Sequence, residues 1–378
     1  MREIPSFPGS LEEAHPPHLA AFDAAFRQDG GRLKERDDLM QWYRLRYWHY
    51  VKVLRKSPLH KPFLERFHFD LVANEHLNAT ASRYGGTHLI GLNVGTILNL
   101  ETFFSMLLSH PKVLPEVGDC SREMQWISSL SACDWRQPCK TALKGAALLQ
   151  EPPSSFPLDE ARRLYAHRLA ILSVDFVFFH EMGHLANGHI EFLETRGRGA
   201  ALRELESGGP PAADEALDLQ ALEFNADSHA ILVLTRDWLR LPERLDAANP
   251  FETATEAIES LALAAVAVFL LFDPLATRIR DYGRAAHPHP AVRLMNVGLM
   301  MWSAAKKAAP SGLERVQAAW LLGLQRAEAI CTELQVGSAV WNAIDVESAA
   351  VSAEYQRIAS HFQTLDQALR PDLRRHRN

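Results

Sequence analysis

His180-Glu181-Met182-Gly183-His184 sets two histidines four residues apart with a glutamate between them. On a helix, residues i and i+4 share one face and stand one turn apart, so both imidazoles can reach a single metal ion. Glu181 then points near the same ion. A carboxylate there can serve as general base toward a water activated by zinc. A catalytic zinc takes three protein ligands and leaves its fourth position open. Two histidines are therefore one ligand short.

Three sources can supply that ligand. His189 follows His184 by five residues. If the helix continues, it lies about 180° round from His180 and cannot reach the metal. Glu223 and Asp227 lie four residues apart on a later helical stretch, within apolar surroundings that continue through Ala230, Ile231, Leu232 and Val233. One carboxylate can bind zinc while the other accepts the outward N–H of a ligand histidine, which raises its basicity. Glu223 is the expected third ligand and Asp227 its supporting partner. The third source is His287-Pro288-His289-Pro290, with Arg293 beyond it. As ligands these histidines rank behind Glu223. As donors to a developing oxyanion, His287, His289 and Arg293 are the candidates, with Tyr282 after them.

The elements that must position these groups are mostly helical. A helical pattern from about Asp159 to Glu194 carries the histidine pair, and another from about Glu215 to Arg240 carries the carboxylates. Phe69 to Val72 and His88 to Val94 alternate as strands do, with turn chemistry at Tyr84-Gly85-Gly86. Residues 109–158 lack periodicity and read as an irregular insertion; Gly and Pro make about 196–214 a mobile loop. Gln41 to Lys61 mixes aromatic and basic residues and reads as a helix that packs its rings inward and solvates its charges. The expected organisation is an N-terminal helical segment at 1–66, a catalytic domain at 67–300 and a C-terminal helical region at 301–378. The fold class is α+β, predominantly α-helical.

Composition bounds the partners. The chain has 378 residues, 47% hydrophobic and 23% charged, with a formal net charge of -6, which argues against a nucleic-acid binder. Four cysteines in that length do not make a disulfide framework. The N-terminus has no apolar signal-type core. Leu261 to Phe272 is uninterrupted for only about 12 residues, against the roughly 18 of a membrane span, and reads as a core helix. No transmembrane segment and a cytoplasmic location are the expectations.

The HExxH, the later Glu223-Phe224-Asn225-Ala226-Asp227, and His287-Pro288 with Arg293 together resemble the gluzincin peptidases of the HtpX and CAAX-prenyl-peptidase group. Upstream, Asn78-Ala79, Gly85-Gly86 and a strand ending at Gly95 are similar to that group's substrate-strand element. A soluble Lit-type peptidase is a comparable relative. The resemblance implies a zincin-like core with a small β-sheet and a two-helix zinc site, with Glu223 as ligand and the His-Pro loop bordering it. It also implies that His88, Ile90 and Leu92 sit on an edge strand whose free N–H and C=O groups pair with an extended peptide. Two features depart from the group: about 80 residues separate Gly95 from His180, and membrane helices are lacking.

The chemistry that follows is that of a soluble metalloendopeptidase acting on polypeptide with one zinc per chain. His180, His184 and Glu223 hold the metal, and Glu181 moves the proton. The competing reading is a non-hydrolytic zinc-binding regulatory or interaction protein on the same fold. Intact Glu181 speaks against it, because a purely structural site needs no base there.

Overall fold

The computed structural model describes residues 16–34, 38–56, 61–126, 157–199, 201–203, 213–239, 253–273, 278–308, 310–334 and 337–375. Helices α1 (Pro16–Ala25), α2 (Asp38–Leu54) and the single turn α3 (Lys61–Leu64) lead into strands β1 (Phe67–Val72), β2 (Ala79–Tyr84) and β3 (Thr87–Asn93). There follow α4 (Val94–Leu108), α5 (Glu160–Ala186), α6 (His189–Thr195), β4 (Ala201–Arg203), α7 (Ala213–Leu239) and α8 (Ala254–Phe272). The chain closes with α9 (Pro290–Ala308), α10 (Leu313–Leu334), α11 (Ser338–Asp345) and α12 (Ser348–Arg375). The architecture is α+β and mostly helical, with one small mixed sheet.

The sheet order is β1-β3-β2-β4, with β1 parallel to β3 and the remaining pairs antiparallel. β3 is thus interior, against the expectation of an edge strand. Ile90 stands opposite both Phe69 and Ala81, and Leu92 opposite both Leu71 and Ala79. Every residue of β1 and β3 is buried, as parallel strands covered on both faces are. Phe22 of α1 and Phe26 just after it pack on Val72 and Leu89 across one face, while Phe69, Leu71, Ile90 and Leu92 join the main core on the other.

That core is one contiguous cluster running from Leu39 in α2 to Leu369 in α12. Described residues of both expected flanking segments therefore pack into the body that holds the sheet, and the boundary expected at 300 falls inside α9. α2 does turn Trp42, Tyr43 and Tyr47 inward, with Tyr47 stacked on Phe178 at 4.3 Å. Two of its charges are not solvated. Arg44 Nε donates to Asp70 at 2.7 Å, and Arg46 Nε donates to Asp175 of α5 at 2.9 Å, both pairs buried. An inward aromatic face carries neighbouring arginines with it, and buried arginines require carboxylate partners.

Two helices, α5 and α8, are long and apolar enough to cross a bilayer, and 94% and 83% of their most apolar windows are buried inside the protein. Asp159 caps α5, its carboxylate accepting the Arg162 backbone N–H at 3.1 Å. The helix does not run to Glu194. It ends at Ala186, and Gly188 takes a left-handed φ of 75° before α6 begins, the backbone region glycine enters without steric cost. Within the expected insertion, 127–156 lie outside the described residues, including Cys133 and Cys139. Of the expected loop at 196–214, residue 200 and residues 204–212 lie outside them, and β4 falls between.

Candidate metal centre

α5 brings His180 and His184 to the surface of α7, and a glycine makes the approach possible. A Cβ at Gly183 would stand 2.9 Å from the His229 Cβ and 3.1 Å from the Ala226 Cα. With the helices this close, Glu223 of α7 faces both imidazoles. His180 Nε2 lies 3.0 Å from His184 Nε2 and 3.2 Å from Glu223 Oε2, and His184 Nε2 lies 3.4 Å from Glu223 Oε1. Among the described residues, this is the only group of three or more His, Cys, Asp and Glu side chains whose ligand atoms all fall within 4.8 Å of one another. All three side chains are buried.

The spacing fits a metal ion. Ligand atoms at about 2.0–2.1 Å from a tetrahedral centre stand about 3.3 Å apart, close to the separations seen. The outer nitrogens are also engaged. His180 Nδ1 lies 2.9 Å from Asp227 Oδ1, so the carboxylate accepts from it and Nε2 is left with its lone pair toward the group. Asp227 in turn accepts from Arg293, Nε to Oδ2 at 2.8 Å and Nη2 to Oδ1 at 2.7 Å. The Arg293 guanidinium lies over the Phe269 ring at 4.4 Å. On the other ligand, His184 Nδ1 lies 2.9 Å from His189 Nδ1.

Charge balance follows the same plan. Burial pushes the Glu223 carboxyl up, but the surrounding imidazoles, His287 first and then His184 and His180, hold it well below the usual carboxylate range. Burial raises Asp227 too, and Arg293, by charge and by hydrogen bonds, brings it below its ordinary value with help from His180. His189 is held well below the usual imidazole range, first by burial and then by His184, so it stays neutral.

The structure divides the remaining candidates. His287 joins the site: its Nε2 lies 3.4 Å from Glu223 Oε2, and its side chain is 23% exposed, so it stands at the mouth. Gln220 of α7 holds the turn before it, Nε2 donating to Tyr282 O at 2.7 Å and to Ala285 O at 2.9 Å. His289 is turned to the Tyr282 ring, with 4.7 Å between ring centroids. It is fully buried, and its Nδ1 accepts the Ala291 N–H at 3.1 Å to start α9, with Pro290 in the first helical position. Arg293 is engaged by Asp227 behind His180 rather than facing a substrate, and the Tyr282 hydroxyl donates to Asp273. Glu181 is buried in the same helical turn as His180 and His184.

His88 faces Glu191 of α6, with 2.6 Å between Nε2 and Oε1, while Ile90 and Leu92 lie in the core. None of the three offers a free strand edge. Sequence reasoning missed His189 and Asn225, because it carried α5 straight through Asn187-Gly188. The dipeptide itself was the signal, since a glycine after a helix often takes the left-handed stop.

None of the curated proteins and none of the solved structures matches this chain. Residues 132–307, the interval that contains His180, His184, Glu223, Asp227, His287 and Arg293, match the family described as Peptidase U49, and the match supports a peptidase family.

Proposed function

We propose that this protein is a zinc-dependent metalloendopeptidase of gluzincin type. The observation that carries the reading is the convergence of His180, His184 and Glu223 from two helices, with Asp227 and His189 behind the two histidines. Buried acceptors turned toward one another are unfavourable unless a cation lies among them. The donor set of two imidazoles and one carboxylate suits zinc at a catalytic site.

Zinc held by His180, His184 and Glu223 would supply an acidified water for attack on a peptide carbonyl. Glu181 takes the proton released in that attack and returns it to the leaving amine. His287, partly exposed beside Glu223, is placed to donate toward the oxyanion. Asp227, gripped by Arg293, keeps the His180 proton on Nδ1 and so keeps Nε2 available. The strand-pairing role passes from β3, which is paired on both sides, to β4 at Ala201–Arg203, the last strand of the sheet among the described residues. An extended polypeptide added to its outer side would continue the sheet.

The test compares newly generated protein N-termini in a native cell lysate treated with the wild type or with Glu181→Gln. The wild type is expected to produce new termini. Loss of the general base slows their appearance by about 10²–10⁴-fold, while both proteins bind one zinc. Equal termini profiles with zinc bound in both would move the non-hydrolytic zinc protein ahead.

A further inference from the structure

We propose that His189 is a positioning residue that fixes the metal-binding tautomer of His184, through a directed hydrogen-bond chain ending on Asn225. The proposal rests on the metallopeptidase reading above. In a continuous helix, residue i+5 lies about 140° round from residue i, and His189 would face away. The chain instead ends α5 at Ala186, turns through Gly188 at φ 75° and starts α6 at His189. The imidazole folds back until its Nδ1 lies 2.9 Å from His184 Nδ1, with ring centroids 5.1 Å apart and planes at 70°.

Two ring nitrogens can bond only if one of them carries the hydrogen. The second contact of His189 decides which. Its Nε2 lies 3.1 Å from Asn225 Oδ1, an atom that also accepts the Asn187 side-chain N–H at 2.6 Å. With Asn225 presenting its oxygen to both neighbours, His189 carries its hydrogen on Nε2 and donates there. Its Nδ1 is then an acceptor, His184 must hold its hydrogen on Nδ1, and His184 Nε2 is left with a lone pair directed at Glu223 and His180. The reverse assignment sets a lone pair of His189 against Asn225 Oδ1 and puts a hydrogen on the nitrogen that has to bind metal. The chain from Asn225 to His184 thus has one consistent direction.

α6, which carries His189, is tied to the sheet from both ends of its length. Glu191 meets His88 of β3 at 2.6 Å, and Glu194 meets Arg83 of β2 at 2.8 Å. The ring is held by the fold and not by the metal. His180 and His184 are consequently backed by different chemistry, an ion-paired carboxylate for the first and a neutral imidazole for the second.

The experiment measures zinc affinity of the full chain by competition with a chromophoric chelator, for the wild type, His189→Leu and His189→Gln. Melting of the metal-free proteins reports folding separately. Loss of an outer-shell partner lowers metal affinity by about 10- to 100-fold, and that is expected for His189→Leu. His189→Gln, with an acceptor and a donor in one side chain, recovers most of it. Because His189→Leu can misfold, the tautomers are read as well, in zinc-loaded wild type labelled with 15N-histidine: His184 protonated on Nδ1 and His189 on Nε2. A folded His189→Leu with affinity within twofold of wild type, or His189 protonated on Nδ1, overturns the proposal alone. A wild type that binds no zinc overturns the metallopeptidase reading and this proposal with it.

Discussion

The two ends of α5 both bury polar side chains, and they complete them in opposite ways. At the N-terminal end, Arg162 is fully buried and spends its donors on five main-chain carbonyls: Nε on Leu108 O, Nη1 on Leu114 O and Val117 O, and Nη2 on His110 O and Val113 O, all at 2.7–3.1 Å. Every N–H of the guanidinium has an acceptor, and the segment from Leu108 to Val117 is wound around it. At the C-terminal end, His180, His184 and Glu223 turn acceptor atoms toward one another, and their donors are used on the outside, against Asp227 and His189. Buried polarity that closes on itself stabilises a loop. Buried polarity that converges on a shared centre suits a cation.

The largest effect that sharpens this contrast is expected at the closed end. Arg162→Met strands five main-chain carbonyls, four of them buried and each costing about 1–3 kcal/mol when unsatisfied, so metal-free stability should fall by more than ~4 kcal/mol in chemical denaturation. Zinc affinity of the molecules that remain folded should not change. If it falls as well, the two ends are coupled along the helix and the contrast fails.

Next comes Arg293→Met at the open end. It leaves the Asp227 carboxylate buried without its cation and should cost about 3 kcal/mol, with zinc affinity reduced about tenfold through His180. Were Arg293 instead to act directly on the oxyanion, kcat would drop and zinc affinity would hold, so titrating zinc alongside turnover separates the two.

Gly183→Ala is smaller. The added Cβ presses on the Ala226 backbone and His229, and overpacking of this kind costs about 1–3 kcal/mol. It should also push α5 off α7 and weaken zinc binding, whereas an alanine substitution at exposed Leu164 on the same helix should leave binding alone.

The smallest effect concerns the tie between α6 and the sheet. Burial raises Glu191, but the hydrogen bond and charge of His88, with Arg83 behind them, hold it below its ordinary value of 4.5. A depressed carboxyl contributes stability that is present above pH 4.5 and is lost as pH falls through the folded value. Wild type should exceed Glu191→Gln by about 1 kcal/mol at neutral pH, and denaturation curves of the two should converge on acidification below pH 4.5.

Much of the site was legible because its geometry is local. His180 with His184, and Glu223 with Asp227, share faces by helical spacing alone, and Leu261 to Phe272 had no polar face to leave in water. These features follow from the covalent order of residues along one helix. Other features depend on contacts between elements. β3 is interior because β1 pairs parallel on one side of it and β2 antiparallel on the other, and the alternation along a strand does not say which of its two edges stays open. His289 precedes α9 and Arg293 lies in its first turn, yet only the packing of α9 on α7 puts Arg293 on Asp227 and leaves His289 to start the helix. His189 sits at the site because one glycine took a left-handed turn. The sequence by itself determined which groups can bind a metal and which can share a helix face, since both are properties of residue type and short-range spacing. Only the tertiary structure decided which outer nitrogen meets which partner, because that depends on where separate helices come to rest against each other.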